Sequence, residues 1–181
     1  MLTCEAPGWR ELVFDVYGDT VQLNSRVEYD WTSLDIDKLC RLSQQLPNGY
    51  HIRHHDLVVA EQEHAEGLNH PRAYKAFVQS RKFFDKGVWH EVMYGDEVAG
   101  GISSYTICRR GTEIGIVVFP AHRRRGLATA LAATFIVHCL ERGIIPHWST
   151  RNNPVSDHLA EKFGYVRSYE HEVLSIPNIK G

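Results

Sequence analysis

The stretch EIGIVVFPAHRRRGLATALAA, residues 113–133, decides how the rest of the chain is read. Its opening residues, Glu113 to Phe119, are rich in Ile and Val and predict a strand. Pro120 ends it, because proline has no N–H with which to continue a ladder. Arg123, Arg124 and Arg125 then lead into Gly126-Leu127-Ala128. From Leu127 to Glu141, Leu127, Leu131 and Phe135 form one stripe, and Ala132, Ile136, Cys139 and Leu140 another. The spacing predicts a helix that is apolar around most of its circumference and therefore buried.

A strand, a tight turn and a helix start thus converge within a few residues. The first N–H groups of a helix lack intrahelical partners and the macrodipole is positive there, so such a turn offers donors to a phosphate. Gly126 and Ala128 keep side chains out of an anion's way. The arginines add charge-assisted hydrogen bonds of about 1.5–3 kcal/mol each. A solvated basic patch or a localisation signal would have no reason to lie between a Pro-terminated strand and a Gly-x-Ala helix start. A nucleotide-binding P-loop is disfavoured, since no Gly-Lys-Ser or Gly-Lys-Thr occurs.

Working outward, Trp89 to Tyr94, Glu97 to Ile107 and Glu113 to Phe119 predict three adjacent antiparallel strands separated by Gly95-Asp96 and Arg109-Arg110-Gly111 turns. Ile144 to Trp148 reads as a strand, Val155 to Lys162 as a helix and Tyr165 to Ile176 as a closing strand. Upstream, Leu57 to Lys86 favours two helices broken at Asn69-His70-Pro71, preceded by a strand from Tyr50 to Arg53. Ile36, Leu39, Leu42 and Leu46 predict a helix that stops at Pro47-Asn48-Gly49, where a module boundary is placed. Short apolar runs between Glu11 and Trp31, parted by Gly18-Asp19, read as a hairpin or two strands.

Composition narrows the function. The 181 residues, 43% hydrophobic, suit one domain with an appendage. With 20 Lys+Arg against 22 Asp+Glu the chain lacks the basic field of a nucleic-acid binder. Four scattered cysteines form no CxxC pair, and neither a signal peptide nor a run of about eighteen apolar residues is present. A cytoplasmic protein without membrane contact is the expectation. Among eleven histidines, His51, His54, His55 and His64 cluster near Asp56, yet match no HExxH spacing, and adjacent residues of a strand face opposite ways. No metal is expected.

Arg123-x-x-Gly126-x-Ala128 matches the Q/R-x-x-G-x-G/A signature of GNAT N-acetyltransferases. From about Leu46 to Leu174 the chain resembles the zwittermicin-resistance-type acetyltransferases. The resemblance runs through EIGI (113–116), GLATAL (126–131), CLERG (139–143), PHW (146–148) and LAEKFGY (159–165). It implies an α/β GNAT fold, with a central mixed, mostly antiparallel sheet flanked by helices. Residues 47–181 would form the acyltransferase domain. Residues 1–46 would be an N-terminal extension of strands and a helix, either a remnant of a larger domain or strands docking on the sheet or on a second subunit in a homodimer.

The resemblance further implies acetyl-CoA as the acyl donor and a small-molecule amine as acceptor. Backbone groups of Ile116, Val117 and Val118 would pair with pantetheine. Arg124, Arg125, Gly126, Leu127, Ala128 and Thr129 would surround the pyrophosphate, with Arg123 opening the motif, and Asn153 would hydrogen-bond the coenzyme. An opened strand edge offers the N–H and C=O partners that pantetheine amides require. A backbone N–H near Val118 or Phe119 could polarise the thioester carbonyl.

Direct attack by the amine in a ternary complex needs no covalent intermediate, and Cys139 lies inside the apolar helix, where a core role is expected. Many family members carry a tyrosine as general acid where this chain has Ala160. Tyr165 reads as a core aromatic, leaving Tyr105 and Tyr169 as phenols without positional support. Glu113, at the start of the coenzyme-binding strand, and His147, on the neighbouring one, are the candidate bases. A non-catalytic acyl-CoA-binding module is the alternative. Only one strand fits after Tyr165, where the family usually ends in a hairpin. Either that last strand is missing or an N-terminal strand replaces it.

Overall fold

The computed structural model describes residues 7–56, 58–59, 83 and 87–176. Most of the expected helix pair at 57–86 lies outside these residues, as does His64. The described elements run α1 (Trp9–Tyr17), a 3-10 turn (Gly18–Thr20), β1 (Gln22–Asp30), α2 (Ile36–Ser43), β2 (Tyr50–His54), β3 (Trp89–Tyr94) and β4 (Glu97–Ile107). They continue with β5 (Gly111–Val118), a 3-10 turn (Pro120–His122), α3 (Leu127–Glu141), β6 (Ile145–Thr150), α4 (Pro154–Phe163) and β7 (Val166–Ser175).

The strands form one sheet in the order β2-β3-β4-β5-β6-β1-β7. Every described pairing is antiparallel except β5 with β6, so the sheet is mixed and mostly antiparallel as expected. β1 pairs with β6 over Val27–Tyr29 and with β7 from Gln22 to Asp30. An N-terminal strand therefore fills the place beside the closing strand, which decides between the two readings left open above.

The hairpin expected between Glu11 and Trp31 does not form: its first half is helix α1. The adjacent apolar residues Leu12, Val13 and Phe14 suggested a strand, but Val13 is buried with Val21 and Leu174, and Trp9 and Phe14 pack on that cluster. Residues 9 and 13 are one helical turn apart, so this packing selects the helix over local β-propensity. Leu12 and Val16 are left exposed.

α3 is buried along Leu127, Thr129–Ala133, Phe135, Ile136 and Cys139, matching its apolar circumference. Leu127, Leu131, Ala132, Ala133, Phe135, Ile136 and Cys139 join Leu39 and Leu42 of α2, Ala160 and Phe163 of α4 and strand residues Val92, Ile102 and Trp148 in one core cluster. Ile114, Ile116 and Val118 pack on the same cluster, so by strand alternation Glu113, Gly115 and Val117 face the opposite side of the sheet. Burial pushes the Cys139 thiol up to about 12, which leaves it inert as a nucleophile. Tyr165 is also core: its hydroxyl donates to the Pro146 carbonyl at 2.7 Å, and burial drives its pKa well above the ordinary value.

Candidate active site

Strands β5 and β6 run parallel but are paired only at Gly111, Thr112 and Glu113, opposite Ile145, Pro146 and His147. Beyond Glu113 the two strands part. β5 stays in register with β4 up to Val118, while β6 follows β1. The edge of β5 from Ile114 to Val118 is thereby released from β6 over about 16 Å, at roughly 3.3 Å per residue.

Which backbone groups line that edge follows from alternation. The Phe119 N–H donates to the Ala99 carbonyl (2.9 Å) on the β4 side, and the Arg110 carbonyl accepts from Ile145 N–H (3.0 Å) on the β6 side. Odd residues of β5 thus turn their polar groups to β4 and even residues turn theirs to the opening. Ile116 and Val118 stand at the open edge. Val117 does not, because its backbone groups are directed to β4 opposite Gly101. Of the two oxyanion donors considered, Phe119 N–H is already engaged, so Val118 N–H is the one presented to the opening. The Val118 carbonyl accepts from Arg123 Nε at 2.9 Å, which makes Arg123 a brace for the strand end.

The turn that follows is built for an anion. Arg124 (φ 63°) and Gly126 (φ 81°) both adopt left-handed backbone, which directs successive N–H groups into a concavity. Gly126 is the N-cap of α3, no side chain caps that end, and no acidic residue sits in the first turn. A Cβ built on Gly126 meets nothing within 4 Å, so space is open where the helix dipole points. Arg123, Arg124 and Arg125 are exposed. A further cation escaped the sequence reading: Lys162 of α4 reaches Thr129 Oγ1 at 3.4 Å. The helical face that carries it was visible in sequence, but its direction toward α3 was not.

Asn153 caps α4, its Oδ1 accepting from Ser156 N–H at 3.2 Å. A bond to the coenzyme would use its NH2 group or the second lone pair of Oδ1. Trp148 Nε1 donates to Ser156 Oγ (3.1 Å), and Thr150 and Tyr29 donate to the Asp157 carboxylate, fixing α4 against β6 and β1.

At the vertex of the split, Glu113 and His147 are paired neighbours, and a Cβ on Gly111 would touch the His147 ring at 2.9 Å. Both side chains therefore lie on the face opposite α3. Glu113 accepts from Ser149 Oγ (2.8 Å) and Thr106 Oγ1 (3.3 Å) and forms an ion pair with Arg26. Arg26 also contacts Glu28 (3.2 Å), whose carboxylate lies 4.0 Å from His171 Nε2. None of the β1 and β7 partners could be inferred from sequence, because they reach the site only through the insertion of β1.

Ala160 is fully buried and carries no proton to give to a leaving thiolate. Tyr105 and Tyr169 are exposed. Tyr29 contacts α4, donating to Asp157 at 2.8 Å. Burial, and then Asp157, pushes its pKa up to about 12, which makes it a reluctant acid.

The sheet is thus split between two parallel strands, and one of them leads through a turn of left-handed backbone into a buried helix. The family model described as GNAT acetyltransferase matches residues 1–174, and the chain belongs to that family. It is 24% identical over 168 residues to the uncharacterized N-acetyltransferase YdfB of Bacillus subtilis, covering 91% of this chain and 61% of that protein. Over 60 residues it is 42% identical to the mycothiol acetyltransferase of Saccharomonospora viridis, covering 33% of this chain and 19% of that one. Among solved structures, the GCN5-related N-acetyltransferase-like protein of Streptococcus suis superposes with a TM-score of 0.76 at 27% identity, covering 93% of this chain and 68% of that one. The chain thus spans about three-fifths of the length of YdfB. Among the described residues, no helix is long and apolar enough to cross a membrane.

Proposed function

We propose that the protein transfers the acetyl group of acetyl-CoA to a primary amine of a small molecule by direct attack in a ternary complex. The observation that carries this is the released edge of β5, which runs from the anion cradle at Arg124–Thr129 to the Glu113–His147 vertex. Pyrophosphate would occupy the cradle, with pantetheine along Ile116 and Val118. With the pyrophosphate in the cradle, the arm would carry its thioester toward the Glu113 end of the released edge, where the amine would attack.

At that face one guanidinium, Arg26, meets two carboxylates, Glu28 and Glu113, which leaves net negative charge to draw an ammonium. Held by Arg26, Ser149 and Thr106, Glu113 is better suited to positioning the amine than to removing its proton. His147, exposed beside it, takes the proton, and water or release of CoA as thiolate replaces the absent tyrosine. The zwittermicin-resistance-like segments favour an antibiotic-like, polyamine-like or amino-acid-like acceptor. Within residues 1–46, β1 supplies the strand between β6 and β7.

The test is release of free CoA thiol from acetyl-CoA over an amine library. His147→Gln is expected to lower kcat by about 10²-fold or more and to remove the acidic limb of its pH profile. Glu113→Gln is expected to raise the amine KM and keep the limb. An unchanged profile in His147→Gln with a lost limb in Glu113→Gln would reverse the two roles. The buried Ala160 favours a second reading, a non-catalytic acyl-CoA-binding module. Stabilisation by acetyl-CoA without thiol release from any amine would establish it.

A further inference from the structure

Three histidines distant in sequence meet at the end of α3 remote from the anion cradle. His54 closes β2 and stands directly opposite His90 of β3, while His138 projects from the last turn of α3. The chosen nitrogens of the three rings lie within 4.8 Å of one another. His54 Nδ1 is 3.3 Å from His90 Nδ1, and His138 Nδ1 is 3.2 Å from His90 Nε2. Those separations are close to the spacing of two ligands around a tetrahedral ion with metal–nitrogen bonds of about 2.0–2.1 Å. They use different nitrogens of His90, so closure on one ion requires the outer rings to tilt toward one of them. His54 is exposed and His138 half-buried, which places that movement at the surface, while His90 is buried and fixed from behind by the edge of Phe135.

We propose that His54, His90 and His138 form a binding site for a single divalent transition-metal ion of the zinc class, with water completing the coordination. Three imidazoles are a borderline donor set that suits Zn²⁺, Ni²⁺ or Cu²⁺ and discriminates against Mg²⁺ and Ca²⁺. Metal ligation requires neutral rings. Asp56 and Glu141 add negative charge beside His54 and His138, against Arg142 near both and His55 near His54 and His90. Arg142 is itself directed to the Gly87 carbonyl at 2.9 Å.

From Leu127 to His138 the helix rises about 16 Å, so the ion would lie far from the acyl-transfer site and act by clamping β2 and β3 to α3. Local spacing could not disclose the site, because no two of the three residues are neighbours in sequence.

The experiment uses the tag-free, chelator-stripped full chain at neutral pH, titrated with Zn²⁺ by calorimetry and with Co²⁺ by visible absorption. One equivalent is expected to bind, with the intense d–d bands of four-coordinate cobalt and a zinc-dependent rise in Tm. His54→Gln and His138→Gln, both away from the acetyl-CoA site, are expected each to weaken binding by at least about a hundredfold. Acetyl-CoA binding should be unchanged in both variants, which keeps this result separate from the proposed activity. Failure of the parent to bind one equivalent would overturn the proposal. So would equal binding by the His54→Gln/His138→Gln double variant with an unaltered circular-dichroism spectrum.

Discussion

Gly126→Glu is expected to abolish the concentration-dependent rise in Tm that acetyl-CoA gives the parent protein. At a ligand concentration a hundred times Kd, linkage stabilises the parent by about 2.7 kcal/mol, and the variant should gain nothing. Two effects act together. Residue 126 has φ 81°, where any side chain costs about 1–2 kcal/mol, and a carboxylate there would put negative charge where phosphate must sit. The fold itself should survive, since a Cβ at Gly126 meets nothing within 4 Å. Gly126→Ala separates the two effects: it carries the backbone strain without the charge, and should keep ligand-induced stabilisation while lowering the baseline Tm. Equal loss of binding in both variants would show that backbone shape rather than charge exclusion controls the cradle.

The largest effect on stability is expected from Glu91→Ala. Glu91 is fully buried on β3, bonded to His55 Nε2 at 2.7 Å and to Arg53 Nη2 at 2.6 Å, and His55 stacks on Trp89 with ring centroids 3.8 Å apart. Removing the carboxylate takes a shared acceptor from both His55 and Arg53 and leaves a cavity on β3, a loss of about 3–5 kcal/mol measured by urea unfolding. Burial opposes ionisation of Glu91, but hydrogen bonds from His55 and then Arg53 outweigh it and hold its pKa below the ordinary value of 4.5. A depressed carboxylate pKa contributes stability above about pH 4.5, and that contribution is lost as pH falls through the lower folded value. Glu91→Gln should therefore unfold with a flatter pH dependence in that acidic window. A slope equal to the parent's would remove Glu91 as a source of acid lability.

Much of this was legible in sequence, for physical reasons. Pro120, the Gly126-x-Ala128 step and the apolar circumference of Leu127–Glu141 each express a local requirement, and each lies where local rules place it. The three strands between Trp89 and Val118 were likewise marked by Gly95 and Gly111 turns. What was not legible depends on partners far along the chain. Helix α1 was misread because Trp9 and Val13 earn their helical spacing only by packing on Leu174. Arg26, the ion-pair partner of Glu113, and Lys162, which reaches Thr129, carry no motif of their own. The parity of Val117 on β5 follows from the pairing of Phe119 with Ala99, which no local pattern discloses.

The insertion of β1 between β6 and β7 also orders events in time. Gln22 pairs with Ser175, so this part of the sheet closes nearly the whole described chain into one loop, the kind of contact that forms late in folding. Emerging from the ribosome, the strand bearing Arg26 must wait for β6 and β7 to be made. The anion cradle at α3 depends on no such delay. A nascent chain would thus form the turn at Arg124–Gly126 before the Arg26–Glu113 pair closes, and the proposed acetyl transfer would await the last strand.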